Sequence, residues 1–192
     1  MKKCPSIIKQ KDDSGWTPLH MAAHMGNKEF VKLLLENENS SAYLKNKASL
    51  SALHISAKKG NVNVMKELTT ACPDIYELLN ERYQSALHVA AESGEKAEVE
   101  FFLKRPEFNG LINEKDIDGN TPMHLAAING HYGIVSLMAR CGSVNPNAMN
   151  IKGYTTMDIV LSGKLDFQLK VCLYTLLSCS AVFTLNFTTW FL

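Results

Sequence analysis

The sequence predicts an all-α repeat, a solenoid of paired helices joined by turn or β-hairpin tips, with an apolar helix at its C-terminal end. Three observations carry that prediction. A four-residue phrase occurs five times, as Thr17-Pro18-Leu19-His20, Ser51-Ala52-Leu53-His54, Ser85-Ala86-Leu87-His88, Thr121-Pro122-Met123-His124 and Thr155-Thr156-Met157-Asp158, at intervals of 34, 34, 36 and 34 residues (54−20, 88−54, 124−88, 158−124). Eight residues before each fourth position stands an Asx residue: Asp12, Asn46, Asn80, Asp116 and Asn150. A small pair, a glycine and a second apolar pattern follow the first four phrases. Self-similarity at such a period marks a stack whose units bury their apolar faces only against their neighbours.

The elements follow in order along the chain. Cys4-Pro5 recurs as Cys72-Pro73, 68 residues on (72−4) and twice the 34-residue interval. Residues 1–11 therefore read as the tail of an incomplete upstream repeat, and a truncated N-terminal end with no polar cap before Trp16 is expected. Each Asx side chain then starts a turn by hydrogen bonding its own backbone. The hydroxyl that opens each phrase (Thr17, Ser51, Ser85, Thr121, Thr155) suits a helix N-cap, and Pro18 and Pro122 suit the first helical position, where a missing N–H costs nothing.

The small pairs Ala22-Ala23, Ser56-Ala57, Ala90-Ala91 and Ala126-Ala127 let neighbouring inner helices approach, and Gly26, Gly60, Gly94 and Gly130 fit the left-handed residue that ends a short helix. Outer helices follow with apolar spacing: Phe30-Val31-Leu33-Leu34, Val62-Val64-Met65-Leu68, Val99-Phe101-Phe102-Leu103 and Ile134-Val135-Leu137-Met138. The fifth unit begins normally, carries Asp158 in place of histidine, where a carboxylate can cap the helix, and lapses after Leu161-Ser162-Gly163. The repeat domain thus spans residues 12–163, with four full units and a partial fifth.

Residues 164–192 form a hydrophobic tail. From Val171 to Leu192 there is no charged residue, a run of 22 (192−171+1). As a helix it would extend about 33 Å, enough for a bilayer core of about 30 Å. Thr175, Ser178, Ser180, Thr184, Asn186, Thr188 and Thr189 count against insertion, so three readings stay open: a single membrane segment, an apolar tail produced by altered splicing or gene truncation, and a soluble capping helix. If it inserts, Lys164 and Lys170 favour repeats on the cytosolic side of a membrane, the plasma membrane being the expected one and the cytoplasm the alternative location.

Composition narrows the function. Twenty basic and 19 acidic residues leave a formal charge of +1, so bulk electrostatics does not favour nucleic acid as a partner. Five cysteines without a C-x-x-C spacing argue for a reducing compartment, and Met1-Lys2-Lys3-Cys4-Pro5 has no secretory apolar core. No phosphate-cradling glycine loop, G-x-S-x-G elbow or H-E-x-x-H pair is present, so no enzyme activity and no cofactor are expected. The regular His20, His54, His88 and His124 sit one repeat apart, roughly 10 Å, too far to share a metal with bonds of about 2 Å, and are expected to be structural. His24 and His131 lie off the phrase position, and Cys172 and Cys179 are packing or lipidation candidates.

The T-P-L-H phrase at this period resembles the ankyrin repeat over about residues 3–163. Local runs such as Ala71-Cys72-Pro73-Asp74, Leu111-Ile112-Asn113-Glu114-Lys115-Asp116 and Asp118-Gly119-Asn120-Thr121-Pro122 resemble the plant ankyrin-repeat proteins of the accelerated-cell-death type. That resemblance implies cytosolic repeats followed by a PGG domain and several membrane helices, and a role in defence, salicylic-acid signalling and stress. No Pro-Gly-Gly occurs in this sequence and the tail has room for one span at most.

What stacking leaves free is the candidate site. The positions that vary between copies lie at the tips (Ser14, Trp16, Lys47, Leu50, Arg82, Gln84, Ile117, Asn120, Ile151, Tyr154) and on the inner helices (His24, Met25, Lys58, Lys59, Glu92, Ser93, Ile128, Asn129). Of these, Trp16, His24, Met25, Leu50, Lys58, Lys59, Arg82, Gln84, Ile117, Asn120, Ile128, Asn129 and Tyr154 are the expected contacts for a protein partner of unknown identity on a concave face. Apolar and aromatic groups where solvent is expected point the same way. Association with a membrane or with full-length relatives is the further expectation.

Overall fold

The computed structural model describes residues 5–162 and Thr175. A single turn, α1 (Pro5–Ile8), precedes four helix pairs. These are α2 (Pro18–Met25) with α3 (Lys28–Asn37), α4 (Ala52–Lys58) with α5 (Val62–Ala71), α6 (Ala86–Ser93) with α7 (Lys96–Leu103), and α8 (Pro122–Ile128) with α9 (Tyr132–Ala139). The last described helix, α10 (Thr156–Leu161), opens the fifth repeat. Helices α2, α4, α6, α8 and α10 pack in chain order as an inner row, and α3, α5, α7 and α9 as an outer one.

Each inner helix starts where the phrase starts. The opening hydroxyl residue has extended backbone and forms a capping box with the fourth residue of the phrase, the imidazole standing where a glutamate more often does. In the fifth repeat Asp158 does the same work, accepting from Thr155 N–H at 2.8 Å. Gly26 and Gly94 close α2 and α6 in the left-handed region, at φ 71° and 82°. Leu19, Leu53, Leu87 and Met123, at one phrase position, are all buried, as are the small pairs beside them.

The interval of 36 residues lengthens the segment between the third and fourth repeats, which winds into a 3-10 turn over Pro106–Leu111. Phe108 from that turn is buried against Phe101, Phe102 and Tyr76, with ring centroids 5.7, 5.2 and 5.1 Å away. The two extra residues are thus absorbed by aromatic packing while the inner row keeps its register.

The tips are turns, which corrects the expectation of β-hairpins: among the described residues there is no strand, and a single isolated bridge joins Met149 and Thr155. The cause is local. Each Asx carboxyl or amide oxygen takes the amides two and four residues on, as Asn46 does from Ala48 and Leu50, both at 3.0 Å. One backbone bond, such as Asn46 N–H to Leu50 O at 3.0 Å, then closes the loop, and the next residue is already the helix cap. No length remains for a second rung. The expected C-terminal apolar helix and membrane segment lie outside the described residues; among those described, no helix is long and apolar enough to cross a membrane.

Candidate functional site

The tips and the exposed ends of the inner helices make one face, and its spacing is set by ties between neighbouring repeats. Deepest are the histidines. In His20, His54, His88 and His124 one ring nitrogen, Nδ1, accepts from the backbone N–H of the capping residue, while Nε2–H donates to a carbonyl of the following repeat. Those carbonyls belong to Leu50, Gln84, Glu114 and Tyr154, at 3.1, 3.0, 3.1 and 3.1 Å. The carbonyl partner fixes the neutral tautomer with hydrogen on Nε2. Burial holds all four imidazoles below their ordinary pKa, His54 and His88 at about 4. Both nitrogens of each ring are engaged within the stack, which is a structural use of the phrase.

Nearer the surface, the tips are tied by backbone. Lys47 N–H donates to Ser14 O at 3.1 Å, Ile117 N–H to Arg82 O at 2.9 Å, and Ile151 N–H to Asp118 O at 3.0 Å. Lysines add a second line, with Lys11, Lys45 and Lys115 donating to Lys45 O, Leu79 O and Met149 O across the first, second and fourth junctions. The equivalent tip bond at the second junction, from Glu81 N–H to Ala48 O, is not made.

Two expected contacts turn out to be such ties. Gln84 (2% exposed) donates to Asp116 at 3.2 Å, and Asn120 (6% exposed) accepts from Asn150 at 3.0 Å, so both are buried between tips. Trp16 and Leu50 are half-buried and pack on the core, Trp16 with its ring against His20 and His24 at 6.2 and 5.5 Å. Neither is the free apolar group that the spacing suggested. Exposed as expected are His24, Met25, Lys58, Lys59, Arg82, Ile117, Ile128, Asn129 and Tyr154, with Arg82 paired to Asp118 at 2.7 Å. Met25 at 73% and Ile151 at 74% are the most open large apolar side chains.

Where the tip bond is missing, the face has a cleft of about 310 Å³ between the second and third repeats, with Ala48, Leu50, Lys58, Glu81, Val89 and Glu92 among its walls. Ser49, which the pattern of variable positions overlooked, lies between its lining residues Ala48 and Leu50 in the chain. It has φ +57°, as has Tyr83, at the tip position where Gly15, Gly119 and Gly153 have φ of +77°, +74° and +77°. The signal was available in the sequence, because two copies lack the glycine that the other three carry.

Comparison with known proteins agrees with this geometry. A family model described as ankyrin repeats in three copies matches residues 2–77 and 53–150. The chain is also similar to the human protein Transient receptor potential cation channel subfamily A member 1, at 28% identity over 180 residues, which is 94% of this chain and 13% of that protein. With the phrase, the helix pairs, the histidine ties and the family match in agreement, the chain belongs to the ankyrin-repeat family.

Proposed function

We propose that the chain is a non-catalytic scaffold that binds other proteins through the face made by its tips and inner helices. The observation that carries this reading is the division of labour between positions. Residues that stack are nearly the same in every copy, whereas the exposed ones differ and include Met25, Ile117, Ile128, Ile151 and Tyr154, apolar groups left in water. Uncovered apolar and aromatic side chains rimmed by polar ones are the anchors of protein interfaces. Repeats of this family serve such binding generally. A pull-down with the intact chain tests it: partners retained in full by Tyr154→Ala, Ile117→Ala and a Lys58→Glu, Lys59→Glu pair would refute the assignment of this face.

The finer reading places the scaffold in plant defence or stress signalling at a membrane, with the repeats on the cytosolic side of the plasma membrane. It rests on the resemblance of Ala71–Asp74, Leu111–Asp116 and Asp118–Pro122 to the accelerated-cell-death proteins and on the uncharged run of residues 171–192. The second reading makes the repeats the cytosolic sensor of a membrane-anchored signalling component, assembled with full-length relatives. Channel activity belongs to the human relative and is not carried over. Carbonate extraction of the tagged full chain separates a membrane-held protein from a cytoplasmic one, and loss of partners on deleting 171–192 alone would favour the second reading.

A further inference from the structure

Comparing the copies position by position separates apolar groups that belong to stacking from those that belong to the surface. Met21 corresponds to Ile55, Val89 and Leu125, and Phe30 to Val64, Glu98 and Ile134; all six are buried, at 4% exposure or less. In the first pair the same two positions are open, Met21 at 48% and Phe30 at 43%. Ile7 repeats the contrast. By the recurrence of Cys4-Pro5 as Cys72-Pro73 it corresponds to Ile75, which is fully buried, yet it is 60% exposed. What distinguishes the later pairs is the pair before each of them. Met21, Phe30 and Ile7 therefore mark a stacking surface on the side of α2 and α3 that α4 and α5 leave free. An end repeat that faces water is polar on its outer side, and this one is not.

The surface has a definite chemistry. Leu33 extends it along α3, and its counterpart Phe101 is buried. None of Ile7, Met21, Phe30 and Leu33 is charged, and Lys28 beside them is held by Glu67 at 3.2 Å. Glu29 and Lys32, next to Phe30 and Leu33 in the chain, carry opposite signs. At the rim stands Asn27. Its counterpart Asn61 donates from Nδ2 to Ala23 O of the preceding inner helix at 2.8 Å, and its counterpart His131 bonds Glu92 O at 3.1 Å in the same manner. The Asn27 oxygen accepts from Phe30 N–H at 2.9 Å, and among the described residues its Nδ2 has no partner. The apolar positions and a donor of the established junctions are thus both present and unused.

A cover for this surface has to be helical, apolar and uncharged at its centre, with both signs beside it. Among the described residues the surface that fits is the same one on another molecule, since Ile117, Ile151 and Tyr154 stand at tips rather than across a helix pair. Two copies meeting about a two-fold axis satisfy both surfaces at once, leave no apolar end over, and can set Glu29 of each against Lys32 of the other. Going beyond the tip-face reading, we infer that two copies of this chain pair end to end through the free side of α2 and α3.

The test uses the full chain. Sedimentation over about a hundredfold range of concentration should show a reversible monomer–dimer equilibrium. The Met21 methyl resonance should move over the same range while that of Met149, exposed at the far end, stays in place. Amides of α2 and α3, fast when dilute, should slow as the chain is concentrated. Met21→Glu with Phe30→Glu would bury carboxylates without partners, and should weaken pairing by about a hundredfold or more while keeping a cooperative melt. A chain that is monomeric throughout, a dimer that forms with the Met21 methyl unmoved, or one that survives the double variant would each overturn the inference. Capture of a different protein at Met21 without self-pairing would overturn it too. None of these readouts involves Tyr154 or Ile117, whose variants test the tip face separately.

Discussion

His88 holds together groups that no other side chain at its position would reach at once. Its Nδ1 accepts from Ser85 N–H at 3.2 Å, faces Ser85 Oγ at 2.9 Å, and its Nε2–H donates to Glu114 O at 3.1 Å, all in a buried setting. His88→Ala leaves an amide and a carbonyl unsatisfied around a cavity, and should cost about 2–4 kcal/mol in denaturant unfolding. The same chemistry sets a pH dependence. Burial lowers the folded pKa of His54 and His88 to about 4, below the ordinary 6.5, so the unfolded chain binds more protons between those values. Stability is therefore complete above about pH 6.5 and is lost as pH falls toward 4, on the order of 3 kcal/mol for each of the two once both states are protonated. His20 and His124 contribute in the same direction. Buried Glu98, whose carboxyl is raised, works the other way and contributes stability at low pH that is lost as pH rises through its folded value. Thermal melts of the native chain and of His54→Ala across pH 4–7 check the sign: the native Tm should fall with acid, and more steeply than that of the variant.

Helices are the elements in which the sequence was most legible, because the cap, the small pair and the closing glycine recur and each has one physical task. Leu87 illustrates it: the phrase position demands burial, and the side chain is fully buried. Leu87→Ala should cost about 2–5 kcal/mol, and a cost below about 0.5 kcal/mol would mean that the register is wrong. Amide exchange should be slowest from α4 to α9, where each inner helix is covered on both sides, and faster in α2 and α3. In that first pair Met21, Phe30 and Leu33 are exposed, whereas Ile55, Val89 and Leu125, which correspond to Met21, are buried. The tips were less legible. Variation between copies singled out Gln84 and Asn120 as surface groups, but a polar residue that varies can be a tie to a neighbour that varies with it, as Gln84 does with Asp116 and Asn120 with Asn150. Such pairing between copies leaves no trace in the composition of either copy. Trp16 was misplaced for a related reason, since the helix below it offers His20 and His24 as a platform that no spacing rule announces.

At the scale of the whole molecule, stability and recognition are carried by different residues and should separate on mutation. Tyr154→Ala and the Lys58→Glu, Lys59→Glu pair ought to weaken capture of partners with a shift in Tm within about 2 °C, because these side chains are exposed and take no part in stacking. Trp16→Ala is expected to lower both, its ring being packed on the first inner helix. Capture measured at rising ionic strength should decline only mildly, since among the exposed contact positions only Lys58 and Lys59 carry an unpaired charge, Arg82 being paired with Asp118. A decline as steep as that of a phosphate-binding groove would point to a different kind of partner.

The open tips between Ala48 and Glu81 also have a mechanical meaning. The first, third and fourth junctions are each fastened at the tip by a backbone bond; the second is joined by its helices and by His54, Lys45 and the Tyr43 hydroxyl, which donates to Asp74. Polar ties at that junction are concentrated away from the tips, and the second and third repeats can tilt about the inner row as about a seam. We expect the molecule to respond to load as two stiffer blocks, residues 12–71 and 74–162, with the second junction as the more compliant joint. A pulling force applied across it should spread the second junction first, read as a small reversible extension ahead of the unfolding steps. A scaffold with such a joint adjusts its curvature to what it holds, with the adjustment confined to one place along its length.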